Sequence, residues 1–153
     1  MAQAFSGNYA YNIDPKGRIT VPAVYRPALG EHFTLGLNHQ MNALALYPKE
    51  EWDETNRRLD RISVTDARGM AYVRLIKAFS YPDQELDQQG RILLPATLRE
   101  KVHLDKAVTI AGVGRYLEIW DTDRFQAFCA ESEANFAALM DYVTERYFAP
   151  SKP

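Results

Sequence analysis

NIDPKGRITVPAVYR occupies Asn12–Arg26, and ELDQQGRILLPATLR occupies Glu85–Arg99. Aligned 73 positions apart, the two stretches share Asp14/Asp87, Gly17/Gly90, Arg18/Arg91, Ile19/Ile92, Pro22/Pro95, Ala23/Ala96 and Arg26/Arg99. Seven identities in the fourteen positions from Ile13 and Leu86 onward mark an internal repeat, which decides the architecture before any single element is assigned. The same offset continues downstream without insertion: ALALYPKEEW (Ala43–Trp52) aligns with YLEIWDTDRF (Tyr116–Phe125). Two β-rich units are therefore expected at 7–53 and 80–126, with connecting helices at 54–79 and a C-terminal helix and tail at 127–153. A unit of about 45 residues is too small to bury a comfortable core alone. Two such units related by a pseudo-two-fold axis can share one.

The composition is that of a soluble globular chain, 46% apolar and 25% charged over 153 residues. No apolar run reaches the roughly 18 residues that a membrane-spanning helix needs, and the N-terminal stretch has no basic region followed by an apolar one, so neither a membrane span nor a secretory signal is expected. A single cysteine, Cys129, cannot form an internal disulfide and fits a reducing cytosol. The net charge of −2 announces no nucleic-acid partner by itself. Charge is nevertheless uneven. Arg57–Lys77 carries six basic residues against two acids, net +4, and Glu118–Glu145 carries seven acids against one base, net −6. Such runs mark either a charged binding face or plain solvated helix surface.

Each unit has the same local grammar. NYAYNI and RITV flank the first motif copy, and RILL stands at the second; β-branched and aromatic residues favour strands there. Pro15-Lys16-Gly17 is a turn, and Asp-Gln-Gln-Gly at 87–90 can serve the same role. Pro22 and Pro95 end their strands and suit the first turn of a short helix. Two further strands follow in each unit, FTLGL and ALALY, then AVTIAG and YLEIW, with Asn38 and Asn42, or Gly112 and Gly114, in the turns between. Trp52, Leu59 and Ile62 form one stripe of a following helix, with Thr55 or Asn56 between, and DARGMAYVRLIKAF reads as a second that stops before Pro82. After the second unit, Asp121 or Thr122 can cap a helix with Phe125, Phe128 and Cys129 on one packed face, with a break near Glu131–Glu133 before Phe136, Leu139, Met140, Val143 and Tyr147.

The repeated polar residues carry the candidate chemistry. Asp14 and Arg18 sit four apart across a tight turn, as do Asp87 and Arg91, so each carboxylate can hold its guanidinium by a charge-assisted hydrogen bond. An arginine oriented in this way on a β-surface suits phosphate or guanine. The alternative is a turn that Asp caps and Arg braces with no ligand, and duplication alone does not separate the two. No catalytic constellation is visible. His32, His39 and His103 are scattered away from any set of metal-ligand spacing, Gly112-Val113-Gly114 is a hairpin signal, and Cys129 has no base partner. Neither metal, cofactor nor small-molecule substrate is expected, and the chain is not read as an enzyme.

The four pieces NIDPKGRITVPAVYR, ALALYPKEEW, ELDQQGRILLPATLR and YLEIWDTDRF, in this order and at this interval, resemble the MraZ family of bacterial transcriptional regulators, chains of two tandem SpoVT-AbrB-like units. The resemblance implies an α+β fold in which two pseudo-symmetric AbrB-like units form a shared, small barrel-like core with flanking helices. It also implies double-stranded DNA as partner, bound at short direct repeats upstream of the division and cell-wall gene cluster, a ring-shaped homo-oligomer, and a cytoplasmic, nucleoid-associated location. Carried onto this sequence, Arg18 and Arg91 become the leading DNA contacts, Asp14 and Asp87 orient them, and Lys16 meets phosphate. Gln89, at the position of Lys16 in the second copy, is uncharged. Arg26 and Arg99 stand between helix-surface structure and phosphate contact. A ring-forming scaffold without DNA binding is the competing function.

Overall fold

The computed structural model describes residues 5–150. The chain divides into two compact units, one ending at Thr122 and the other beginning at Asp123. Among the described residues, the first contains eight strands. Strand β1 (Asn8–Asn12) is followed by β2 (Arg18–Thr20), a 3-10 turn at Ala23–Tyr25 running into the short helix α1 (Arg26–Leu29), β3 (Phe33–Leu37) and β4 (Leu44–Pro48). Helices α2 (Lys49–Leu59) and α3 (Ala67–Ala78) connect to β5 (Tyr81–Gln84), β6 (Arg91–Leu93), α4 (Ala96–Lys101), β7 (Ala107–Gly112) and β8 (Leu117–Asp121). Strands β2, β4 and their partners β6, β8 lie 73 residues apart at both ends, so the repeat in sequence is a repeat in structure.

The two sequence repeats are interleaved. Six strands form one antiparallel sheet in the order β1-β7-β8-β4-β3-β5, and β2 pairs with β6 as a separate two-stranded ribbon. The first strand of each repeat therefore leaves its own unit: β1 pairs with β7 of the second copy, and β5 pairs with β3 of the first. In the sheet Ala45 faces Glu118, and in the ribbon Ile19 faces Ile92. Both are pairs of repeat-equivalent residues, so the pseudo-two-fold axis passes through the middle of the sheet and the middle of the ribbon. The mutual strand exchange answers the size problem, because neither copy has a complete sheet without the other.

One apolar core lies between ribbon and sheet. Ile19, Val21, Ile92 and Leu94 contribute from the ribbon and its continuations, and Leu35, Leu44, Leu46, Ile110, Leu117 and Ile119 from the sheet. The core is thus shared, as expected, while hydrogen bonding leaves the sheet open at β1 and β5. The opposite face of β3 and β4 is covered by α2, which buries Trp52, Thr55 and Leu59. Trp52 and Leu59 belong to the stripe read from the sequence and Thr55 is the residue between them, whereas Ile62 falls beyond the end of α2. Both oxygens of the buried Glu118 carboxylate accept a hydrogen bond, Oε2 from Asn38 Nδ2 at 2.7 Å and Oε1 from Trp120 Nε1 at 3.0 Å. Asn38 Oδ1 in turn accepts the backbone N–H of Asn42 and Ala43, closing the β3–β4 turn.

Helix α3 is capped by Asp66, whose Oδ1 accepts the Gly69 N–H at 2.9 Å, and it buries none of its residues. The C-terminal unit is helical: α5 (Thr122–Ala134), which begins at the position equivalent to α2, then α6 (Phe136–Val143) and a π-helical turn at Thr144–Phe148, with the break at Asn135. No residue of α5 or α6 is buried. Cys129 is only partly covered and Phe128 is exposed, where the sequence reading placed both on a packed face. The apolar stripe exists; a short helical unit alone has too little mass to cover it.

Candidate nucleic-acid interface

Each motif copy folds into a closed turn built on its aspartate. Asp14 Oδ1 accepts the backbone N–H of Lys16 at 2.9 Å and of Arg18 at 2.8 Å, while the Arg18 and Gly17 backbones close the turn on Asp14 itself. Asp14 Oδ2 accepts Arg18 Nε at 2.7 Å. The second copy repeats every contact: Asp87 Oδ1 takes the N–H of Gln89 and Arg91, both at 2.9 Å, and Oδ2 takes Arg91 Nε at 2.9 Å. The pairing is through Nε alone, so the carboxylate does not use the terminal amino groups of either guanidinium. The backbone N–H of Arg18 is the main cause of an Asp14 carboxyl held below its ordinary range, with the guanidinium adding to it; Arg91 does the same to Asp87. Hydrogen bonds to the charged form favour it, so both aspartates stay ionised and both arginines stay oriented.

The ribbon brings the two turns together. Alternation sends Ile19 and Ile92 into the core and leaves Arg18, Thr20, Arg91 and Leu93 on the outer face. Arg18 lies directly across from Leu93, and Arg91 from Thr20. The arginines are therefore diagonal neighbours, on the order of 7–8 Å apart at Cα. Lys16 is exposed at the tip of the first turn, and Gln89 at the tip of the second.

Arg26 and Arg99 do something that sequence reasoning missed. Arg26 Nε donates to the Val21 carbonyl at 3.0 Å, and Arg99 Nε to the Leu94 carbonyl at 2.9 Å. Their guanidinium groups then reach across the axis. A methyl group at Gly90 would overlap the guanidinium of Arg26, and one at Gly17 would lie 3.2 Å from Arg99 Nη2. Each helix arginine thus rests on the glycine of the other copy's turn, placing four guanidinium groups around one ribbon. The glycines serve twice, since their φ values of +84° and +77° also close the turns. The co-repetition of Gly17/Gly90 with Arg26/Arg99 was the available signal, but it names no partner without the strand exchange.

The other sequence candidates lie elsewhere. Within the basic run, Arg57 pairs with Glu54 at 2.6 Å, and Lys77 binds Asn56 and lies over the Trp52 ring. His39 packs edge-on against Tyr47 and Tyr116. Among the described residues no group of His, Cys, Asp and Glu could hold a metal ion, and no helix is long and apolar enough to cross a membrane.

Two copies of one Asp–turn–Arg unit, exchanged around a pseudo-two-fold axis, define an α+β class of tandem-repeat proteins with one shared core. Comparison with known sequences narrows the class. The family model described as "MraZ protein, putative antitoxin-like" matches residues 4–74 and 82–146, one match per repeat. A protein of Desulforamulus reducens named Transcriptional regulator MraZ is 40% identical over 144 residues, covering 92% of this chain and 98% of its own. Proteins of the same name from Moorella thermoacetica and Heliobacterium modesticaldum are 40% and 43% identical over 144 residues, each covering 92% of this chain and 97% of the relative. The chain belongs to the MraZ family.

Proposed function

We propose that this protein is a sequence-specific, DNA-binding transcriptional regulator that reads duplex DNA with the β2–β6 ribbon. The observation that carries this reading is the diagonal pair Arg18 and Arg91, each fixed through Nε by its own aspartate on one outer face. A two-stranded ribbon fits the major groove, and arginine amino groups aimed outward suit guanine O6 and N7. Arg18 and Arg91 are the leading contacts; Asp14 and Asp87 hold them before DNA arrives, which lowers the ordering entropy lost on binding. Lys16 meets phosphate. Arg26 and Arg99, anchored at Nε, brace the opposite turns and turn their remaining charge to the backbone of the DNA. The relatives' name, Transcriptional regulator MraZ, supports the same reading.

The finer reading follows the family resemblance: a ring-shaped homo-oligomer binding short direct repeats upstream of the division and cell-wall gene cluster, in the cytoplasm at the nucleoid. One subunit offers few cations, and a chain of net charge −2 gains little from long-range attraction. Several subunits on successive repeats supply the missing affinity by avidity. The exposed Phe136, Leu139, Met140, Tyr147 and Phe148 of the C-terminal helices are the apolar surface such an assembly would cover.

An anisotropy titration with the protein's own upstream DNA, repeated across salt concentrations, tests the reading. Binding that falls steeply with salt and prefers that duplex over a scrambled one is expected. Equal, negligible binding to both duplexes would leave the scaffold function in its place.

A further inference from the structure

The outer face of the ribbon is only half symmetric. Arg18 and Arg91 are repeat equivalents, and so are Thr20 and Leu93, but the second pair differs in chemistry. Leu93 is 56% exposed although it stands between Ile92 and Leu94, which are buried and supply that strand's share of the core. An aliphatic side chain in the middle of a cationic face contributes nothing to the core and weakens solvation there. It is also held in place: its Cδ1 would lie 3.6 Å from a methyl group on Gly17, so it leans on the turn that carries Arg18.

We propose that Leu93 packs on the C5-methyl group of a thymine, and that its difference from Thr20 sets the direction in which the ribbon lies along its DNA site. The inference rests on the DNA-binding reading above. The thymine methyl is the apolar group that the major groove displays, and an aliphatic side chain between two outward arginines meets base edges rather than phosphates. A ribbon with identical contacts about its two-fold axis binds a site equally well in either direction. Lys16 against Gln89 does not resolve the direction by sequence, because phosphate contacts carry no base information. Thr20 against Leu93 does: threonine can donate, accept or offer its methyl, whereas leucine accepts only an apolar neighbour.

The test uses duplexes selected by the wild-type protein from a randomised library, with each thymine replaced in turn by deoxyuridine, which removes only the methyl group. Wild-type affinity is expected to fall about fourfold per subunit at one position, the value for exposing one methyl-sized group. Leu93→Ser should be insensitive at that position. The double exchange Thr20→Leu with Leu93→Thr should move the sensitive position to the other half of the site. Leu93→Thr alone should select a more palindromic sequence. A wild type insensitive to every methyl, or a Leu93→Ser variant that keeps the same sensitive position, overturns the inference, as does a Leu93→Ser variant that changes sedimentation instead. Arg18→Ala separates the two levels. If it abolishes binding while Leu93→Ser changes nothing, only the thymine contact fails; if it binds as the wild type does, the ribbon is not the DNA-binding face.

Discussion

Arg18 and Arg91 each donate Nε to their own aspartate, which leaves the terminal amino groups for the DNA contact proposed above. Arg18→Ala and Arg91→Ala should each weaken binding to operator DNA by about 1–3 kcal/mol and relax sequence preference, with the circular dichroism spectrum unchanged. Lys16→Ala should weaken all duplexes alike and lower the salt slope by about one. The glycines make a second contrast. Alanine is strained at the positive φ of both turns, but at Gly90 it also collides with Arg26, whereas at Gly17 Arg99 has only a few tenths of an ångström to give. Gly90→Ala should therefore lower the urea midpoint more than Gly17→Ala, and each should cost at least about 1 kcal/mol of unfolding free energy. The aspartates add a pH dependence. Both carboxyls are depressed in the folded chain, so their contribution is fully present above the unfolded value and is lost as pH falls through the folded one. Against an Asp14→Asn, Asp87→Asn variant, which keeps the turn acceptors but not the charge, the wild type's stability advantage should be constant above about pH 5 and shrink below about pH 4. Urea titrations at a series of pH values check the sign.

At the scale of elements, three-residue strands would not persist alone. β2 and β6 exist because Ile19 and Ile92 are 1% and 3% exposed at the axis and because Val21 N–H and Leu94 N–H donate across it to Gly90 and Gly17 carbonyls, both at 2.9 Å. Ile19→Ala or Ile92→Ala should cost about 2–5 kcal/mol, read from urea unfolding. The two losses should not add simply, since the residues face one another. DNA affinity should fall with them at temperatures well below the unfolding midpoint, because the ribbon that spaces the arginines loosens first.

For the whole molecule, strand exchange satisfies the two repeats within the core unit, while the C-terminal helices keep exposed apolar side chains. Sedimentation should show a homo-oligomer larger than a dimer at micromolar concentration. Leu139→Glu with Met140→Glu should shift it toward the monomer, and DNA affinity should drop with the loss of avidity while the salt slope per subunit is retained.

The repeat, its offset, the Asp–Arg turns and the α2 stripe were legible in the sequence, because each depends on residues close together along the chain: Asp14 with Arg18, Trp52 with Thr55 and Leu59. Strand β5 was not, since YPDQ carries a proline and little β-branching and forms only by pairing with β3. The local alphabet was equally silent on which copy each strand would join. A strand's own side chains specify its face but not its partner, so only the shared core decided that β1 crosses to β7, that Ile19 meets Ile92, and that Arg26 and Arg99 rest on each other's turns. The cationic ribbon is therefore written twice in the sequence and assembled once, by tertiary pairing between the copies.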